Sequence, residues 1–372
     1  MKFGIDEDQA EFKAAVAKFL QTHVPLRAVR VMTESARGYD PELWARMANE
    51  LGLLGVGSPE SVGGTGDSLL DLVVVMEELG HALDPSPFLP SIVLVSRALV
   101  EAGGHDDWLR ELISGTLVAS LAVLEADGDW FSTTQATASR RDGDGWRVSG
   151  NKRFVLHGAT VDDLLVLASG ATGPSLLRVR AAALGVSVAP LNSLDPTRPM
   201  ADVTFVDAHA ALVGEPGQGR ELLDRVLRRA FVAMASEQLG AAAHALELAT
   251  DYARIRVQFG RAIGSFQAIK HMLVDVMMDL ESARSAVLYA AWAIDSADPE
   301  ADQLGHLCQA VASEALVAAA KACIQVHGAI GFTWEHDAHL FLKRATGSVQ
   351  LLGTPAQHRE RIAAGLLRPA AN

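Results

Sequence analysis

The sequence predicts an α+β fold in three successive parts: an N-terminal helical domain over residues 1–116, a middle β domain over 117–214, and a C-terminal helical domain over 215–372. Two changes of hydrophobic period carry that expectation. Apolar residues recur at three- and four-residue spacing from Ile5 to about Gly115, alternate at a spacing of two from Leu117, and return to helical spacing after Gly219.

In the first part, EDQAEFKAAVAKFLQTHV, PELWARMANELGLLG and LLDLVVVMEELGHAL read as helices. Between the last two lies the Gly-rich loop SPESVGGTGDS, residues 58–68, which is either a turn capped by Asp67 or Ser68 or backbone lining a ligand channel. The middle part holds short alternating runs such as GWRVSGNKRFVLHG, DDLLVLAS and ADVTFVDAHAALVG, separated by Gly, Asp and Asn turns. That pattern suits a small barrel or sandwich. The last part contains four or five long helical segments.

Composition narrows the function class. A formal net charge of −13 argues against a nucleic-acid or anionic-membrane partner, since a phosphate backbone would be repelled. Cys308 and Cys323 lie in Ala-rich helical patterns away from metal-ligand spacing and read as reduced core residues. The start, MKFGIDEDQAEF, lacks a basic-then-apolar signal, and no run approaches 18 uninterrupted apolar residues, so the expectation is a cytoplasmic protein without a membrane span.

Two stretches carry the chemistry. Residues Arg256 to His271, RVQFGRAIGSFQAIKH, combine arginines, glutamines, two phenylalanines and two glycines between helical runs. A planar cation, an amide and a flat ring suit a nucleotide-like ligand; an ordinary helix corner with Phe259 and Phe266 in the core is the alternative. The second stretch, residues 323–361, has glycine corners at Gly328–Gly331 and Gly353–Thr354 and holds His327, His336 and His339. No third ligand accompanies the last two histidines, so no metal site is expected.

With both stretches in view, the chain resembles the acyl-CoA dehydrogenase family. Arg256-Val-Gln-Phe-Gly260 with Phe266-Gln267 and His271 matches one family motif, and Gln325-Val-His-Gly-Ala-Ile-Gly331 with Thr333-Trp-Glu-His-Asp337 matches another. The resemblance implies a middle β-barrel or sandwich, a C-terminal four-helix bundle and FAD as cofactor. It further implies a tetramer in which one subunit's arginine and glutamine reach the neighbour's FAD. Carried over, Arg256 binds the FAD pyrophosphate with Gln258, Phe259 and Gln267 alongside, while Gln325, His327, Gly328 and Ala329 contact diphosphate and adenosine. Thr354 lies near the adenine-ribose or flavin end, and Phe154 stacks on the flavin. The implied reaction desaturates an acyl-CoA or acyl-carrier thioester: a carboxylate takes the α proton while hydride passes to flavin N5, and an electron-transfer acceptor follows.

The chain departs from the family at the base. The usual Glu-Gly-Thr corner reads Leu352-Gly353-Thr354, and the alternative family position reads Ala230. Glu237, seven residues beyond Ala230 and on nearly the same helix face, is either a displaced catalytic base or the partner of an arginine such as Arg229 or Arg261. The acidic-Pro-Gly-rich flavin loop appears as Leu124 to Trp130 without proline, and Leu156 stands where a hydroxyl would meet the flavin; Trp130 and Phe154 as plain core aromatics are the alternative. Three readings follow: a cofactor-lending subunit of a heterotetramer, a stand-alone homotetrameric dehydrogenase using Glu237, and a flavin monooxygenase on the same fold.

Overall fold

The structure, a computed structural model, describes residues 4–367. Helices α1 (Glu7–His23), α2 (Leu26–Glu34), α3 (Pro41–Leu51) and α4 (Leu69–His81) come first, followed by a π-helical turn at Leu89–Ser96, then α5 (Arg97–Ala102) and α6 (Asp106–Ile113). Seven strands follow: β1 (Ala119–Ala122), β2 (Ala138–Asp142), β3 (Gly145–Leu156), β4 (Asp163–Gly170), β5 (Gly173–Arg180), β6 (Val186–Leu191) and β7 (Met200–Val213). Helix α7 (Gly219–Ile255) leads into a minimal hairpin, β8 (Val257–Gln258) and β9 (Arg261–Ala262). Helices α8 (Gln267–Asp295), α9 (Ala301–His327), α10 (Ala338–Ser348) and α11 (Pro355–Leu366) complete the chain. The helix–β–helix order matches the sequence expectation.

Local chemistry accounts for the helix starts. Asp6 and Gln9 form a reciprocal capping box on α1, Asp40 caps α3 ahead of Pro41, and Thr354 with Gln357 caps α11 ahead of Pro355.

Packing groups the chain into two compact units that cut across sequence order. One comprises the residues up to Val29, Leu69–Asp84 and those from Phe231 onward; the other comprises Arg30–Ser68 and Pro85–Ala230. The first unit is helical apart from the short β8–β9 hairpin. Within it α4 crosses α7 at backbone contact distance: a Cβ on Gly80 would stand 1.9 Å from the Glu237 carbonyl oxygen, and one on Gly240 would stand 1.8 Å from that of Glu77. No side chain fits at either point, and this close crossing is what places Glu237. Helix α9 is long and apolar enough to cross a membrane by length and composition, yet 61% of its most apolar window is buried within the protein, as befits a core helix.

The second unit is built on the strands. Strands β4, β5, β7, β3 and β2 pair in a ring that closes where Ala138 of β2 meets Ser169 of β4, with β1 and β6 added at the side. The barrel alternative of the sequence reading is therefore the one realised. Ser91 in the π-helical turn fastens that turn to β1, its hydroxyl donating to the Ala119 carbonyl at 2.7 Å and accepting the Ala119 N–H at 3.0 Å.

Candidate functional site

In the helical unit, the end of α7 and the end of α9 lie side by side. Tyr252, one turn before Arg256, stacks on His327 with ring centroids 4.4 Å apart, and His336 packs against the same imidazole at 4.2 Å. The two sequence motifs thus converge, although they are about 70 residues apart in the chain. Neither stretch alone signals this stack, because Tyr252 lies outside both motifs.

At this end the chain is open. Arg256 is held through its backbone, its N–H donating to the Tyr252 carbonyl at 2.9 Å and its carbonyl accepting the Ile263 N–H at 2.8 Å, while its side chain is exposed and makes no hydrogen bond or ion pair among the described residues. Phe259, at a left-handed φ of 51°, is 92% exposed, which rules out the core-aromatic alternative for that ring. Phe266 is covered instead by Arg261, whose guanidinium sits 4.0 Å from the ring centroid. Gln258 folds back onto the Val257 carbonyl at 2.9 Å, while Gln267 and Gln325 are exposed at the first turn of α8 and the last turn of α9.

His327 is different. It is buried, and its Nδ1 lies 2.7 Å from the Cys323 carbonyl oxygen, so it supports the corner from beneath. Beyond it Gly328, at φ 64° with open space around its Cα, and Ala329 present exposed backbone. A guanidinium without a protein partner beside exposed backbone is a donor set that fits a diphosphate.

The Leu351–Thr354 corner is closed. Leu352 is buried and held in the left-handed region at φ 60°; Gln309 Nε2 lies 3.4 Å from the Leu351 carbonyl oxygen. The Thr354 hydroxyl is committed to the α11 cap, accepting the Gln357 N–H at 3.3 Å and donating to Gln357 Oε1 at 3.0 Å. Beneath the corner the buried His306 and His358 meet nitrogen to nitrogen at 2.8 Å, against the ring of Phe231. Burial, the neighbouring His306 and Arg361 together push His358 down to about 3, so it is neutral near pH 7.

Glu237 receives a correction. It is buried, and its carboxylate accepts from Nη1 of the equally buried Arg344. The Nη2 of Arg344 donates to the carbonyl oxygens of Leu83 and Asp84 at 3.3 and 3.2 Å. An arginine does pair with Glu237, and Arg344 is that partner; Arg229 binds Asp67 at 3.0 Å, and Arg261 covers Phe266. A carboxylate locked to a buried guanidinium is poorly suited to accept a substrate proton. Ala230 is fully buried as well. Among the described residues, no cluster of His, Cys, Asp or Glu could hold a metal ion.

In the barrel unit, strand register explains Phe154. The β3–β7 pairing slips between Lys152 and Val155; Phe154 takes φ 54° and points outward, 39% exposed, while Val155 turns into the core. Trp130 is buried, so the core alternative holds for it and not for Phe154. Leu156 is buried and offers no polar atom on its side chain.

Comparison with known proteins closes the question of family. Family models described as acyl-CoA dehydrogenase N-terminal and C-terminal domains match residues 6–116 and 217–367. Acyl-CoA dehydrogenase IpdE2 of Mycobacterium tuberculosis is 34% identical, with 96% of each chain covered. IpdE2 of Mycolicibacterium smegmatis is 35% identical over 97% of this chain and 99% of the relative. Among solved structures, the ChsE4-ChsE5 complex from Mycobacterium tuberculosis superposes with a TM-score of 0.89 at 27% identity over 100% of both chains. The Tcur3481-Tcur3483 steroid ACAD G363A variant gives 0.87 at 28% identity over 97% and 98%. The chain belongs to the acyl-CoA dehydrogenase family and is an FAD-dependent oxidoreductase.

Proposed function

We propose that this chain is the cofactor-lending subunit of a heterotetrameric acyl-CoA dehydrogenase, in which a partner chain supplies the catalytic carboxylate. The observation that carries this reading is the buried, apolar Leu352 at the corner where the family places its base, with Glu237 locked to Arg344. A leucine accepts no proton, so the α-proton step needs a group from elsewhere.

Arg256 and the backbone of Gly328 and Ala329 would hold the diphosphate of a neighbouring subunit's FAD, with Phe259, Gln258, Gln267 and Gln325 around it; on the barrel unit, Phe154 is the ring that would stack on a flavin. When bound, FAD accepts the hydride released from the β carbon of the thioester. Exposed aromatics beside the motifs, Phe332 and Trp334 at 69% and 71%, support a second chain covering this end. Two of the similar solved structures bear paired names, ChsE4-ChsE5 and Tcur3481-Tcur3483, and the second is a steroid ACAD. By analogy the acyl group is a bulky, steroid-type thioester rather than a short chain.

The test is to purify the chain alone and co-expressed with a family member that retains the Glu-Gly-Thr corner, then record flavin content and acyl-CoA-dependent bleaching. We expect tight FAD and bleaching only in the co-complex, and Glu237→Gln should keep its turnover per folded complex. One FAD per chain with bleaching in the isolated protein would overturn the partner-subunit reading, and loss of turnover in folded Glu237→Gln would restore Glu237 as a base.

A further inference from the structure

Lys152 is a lysine with no exposed surface, in the wall of the barrel. Its ammonium has three N–H donors, and three acceptors meet them: the Val123 carbonyl at 3.0 Å, Glu125 Oε1 at 2.7 Å and Gln135 Oε1 at 2.6 Å. Glu125 in turn accepts the backbone N–H groups of Ala136 at 2.6 Å and Thr137 at 2.9 Å. The segment from Val123 to Thr137 contains neither helix nor strand; this cluster ties its two ends to each other and to β3, while Arg220 Nη1 donates to the Trp130 and Ser132 carbonyls in its middle at 3.1 and 3.2 Å.

The other side of the cluster is Phe154. Lys152 and Phe154 share a face by strand alternation, and only the register slip between them turns one inward and the other outward. Asp202 holds the slip from below, its Oδ1 accepting the Phe154 N–H at 3.3 Å while its other oxygen pairs with Arg153 at 3.2 Å. An inward anchor at Lys152 and an outward ring at Phe154 are therefore parts of one bend.

Resting on the FAD reading above, we infer that Lys152 is a positioning residue for the flavin, fixing the 123–137 segment and the Phe154 bulge as one rigid face through Glu125 and Gln135. Burial drives Lys152 down to about 8 against the pull of Glu125 and Asp127, while Lys152 and the two backbone N–H groups hold Glu125 at about 2. The charged pair is thus intact at pH 7, and the cluster opens as pH rises through about 8.

The experiment uses the co-complex carrying Lys152→Met or Glu125→Gln, with hydrogen exchange across residues 124–137 and the visible spectrum of bound FAD as readouts. In Lys152→Met we expect amide exchange in 124–137 to rise at least tenfold with α7 unchanged, FAD affinity to fall about tenfold, and a wild-type spectral transition near pH 8 to vanish. Should Lys152→Met not fold, Glu125→Gln carries the same test: without the carboxylate the transition moves to lower pH. Unchanged exchange overturns the inference. So does faster exchange with unaltered flavin spectrum, affinity and pH response, which would leave Lys152 a purely structural residue. A wild-type complex devoid of flavin would instead defeat the FAD reading itself, and the inference with it.

Discussion

The helical unit contains two corners with opposite characters. At the Arg256–Gln267 hairpin the guanidinium, the Phe259 ring and the glycine backbone face outward with few partners in the chain; at Leu351–Thr354 the side chains are buried, capped or hydrogen-bonded. An open corner with a cation is built to receive a ligand. A closed corner filled by leucine is built to hold shape. On the proposed reading, cofactor binding and proton abstraction are separable in this fold: the open corner would serve the first, and Leu352 fills with packing the position that would serve the second.

The closed side should respond most strongly to mutation. Arg344→Met leaves Glu237 charged, buried and without its guanidinium, and should lower unfolding free energy by about 3–5 kcal/mol. The double variant Glu237→Leu/Arg344→Met should recover much of that loss, because it removes both charges. Urea unfolding of the two variants reads the difference directly. A single variant as stable as the double would mean that the pair is not the lock it is drawn to be. Next in size is Gly240→Ala: its Cβ would stand 1.8 Å from the Glu77 carbonyl oxygen, so α4 and α7 must separate, at a cost of about 1–3 kcal/mol. A melting temperature within a degree of wild type would contradict the close crossing.

How far the sequence foretold these corners depends on the range of the interaction. The period changes at Leu117 and Gly219 mark the helix–β–helix order, because side-chain alternation is a local property, but the two-residue strands of the β8–β9 hairpin are too short to carry a period. The openness of the Arg256 hairpin was readable only as one of two alternatives, since a phenylalanine in a loop can point either way. Glu237 was identified as a carboxylate that matters, but its partner lies 107 residues away, and no local pattern distinguishes Arg344 from Arg229 or Arg261. For Phe154 the sequence leaves a stacking ring and a core aromatic as alternatives, because its outward turn depends on a register slip against β7 that strand alternation cannot express. Likewise, α1 and α4 join the C-terminal helices through contacts that sequence order hides.

Acid should reach the closed corner before it affects the open one. His358 has its folded value pushed from 6.5 down to about 3, so between those limits the unfolded chain binds the proton and the folded chain does not. Its contribution to stability is therefore complete above about pH 6.5 and is lost as pH falls toward 3. His306, Phe231 and Arg361 surround it, and after burial the neighbouring His306 and then Arg361 oppose its protonation. A His358→Asn variant should have a lower melting temperature at pH 7 and a flatter dependence between pH 6.5 and pH 4. Parallel profiles for the two proteins would show that the imidazole is not the group being titrated.

The open corner should show the reverse pattern, with almost no effect on folding and a clear one on binding. The Arg256 side chain is exposed, without a hydrogen bond or ion pair among the described residues, so Arg256→Ala should change unfolding free energy by less than about 0.5 kcal/mol. On the proposed reading, the same change in the co-complex would remove a charge-assisted contact to the diphosphate, of about 1.5–3 kcal/mol, or roughly 10- to 100-fold in FAD affinity. Arg256→Lys should recover only part of this, because a lysine supplies the charge without the planar two-point fork. Flavin fluorescence on dilution measures the affinity, and thermal melting of the apoprotein measures the stability. A large loss of stability with unchanged FAD affinity would invert the contrast between the corners and place Arg256 in the framework; the reverse result assigns the ligand to the one corner the fold leaves unfilled.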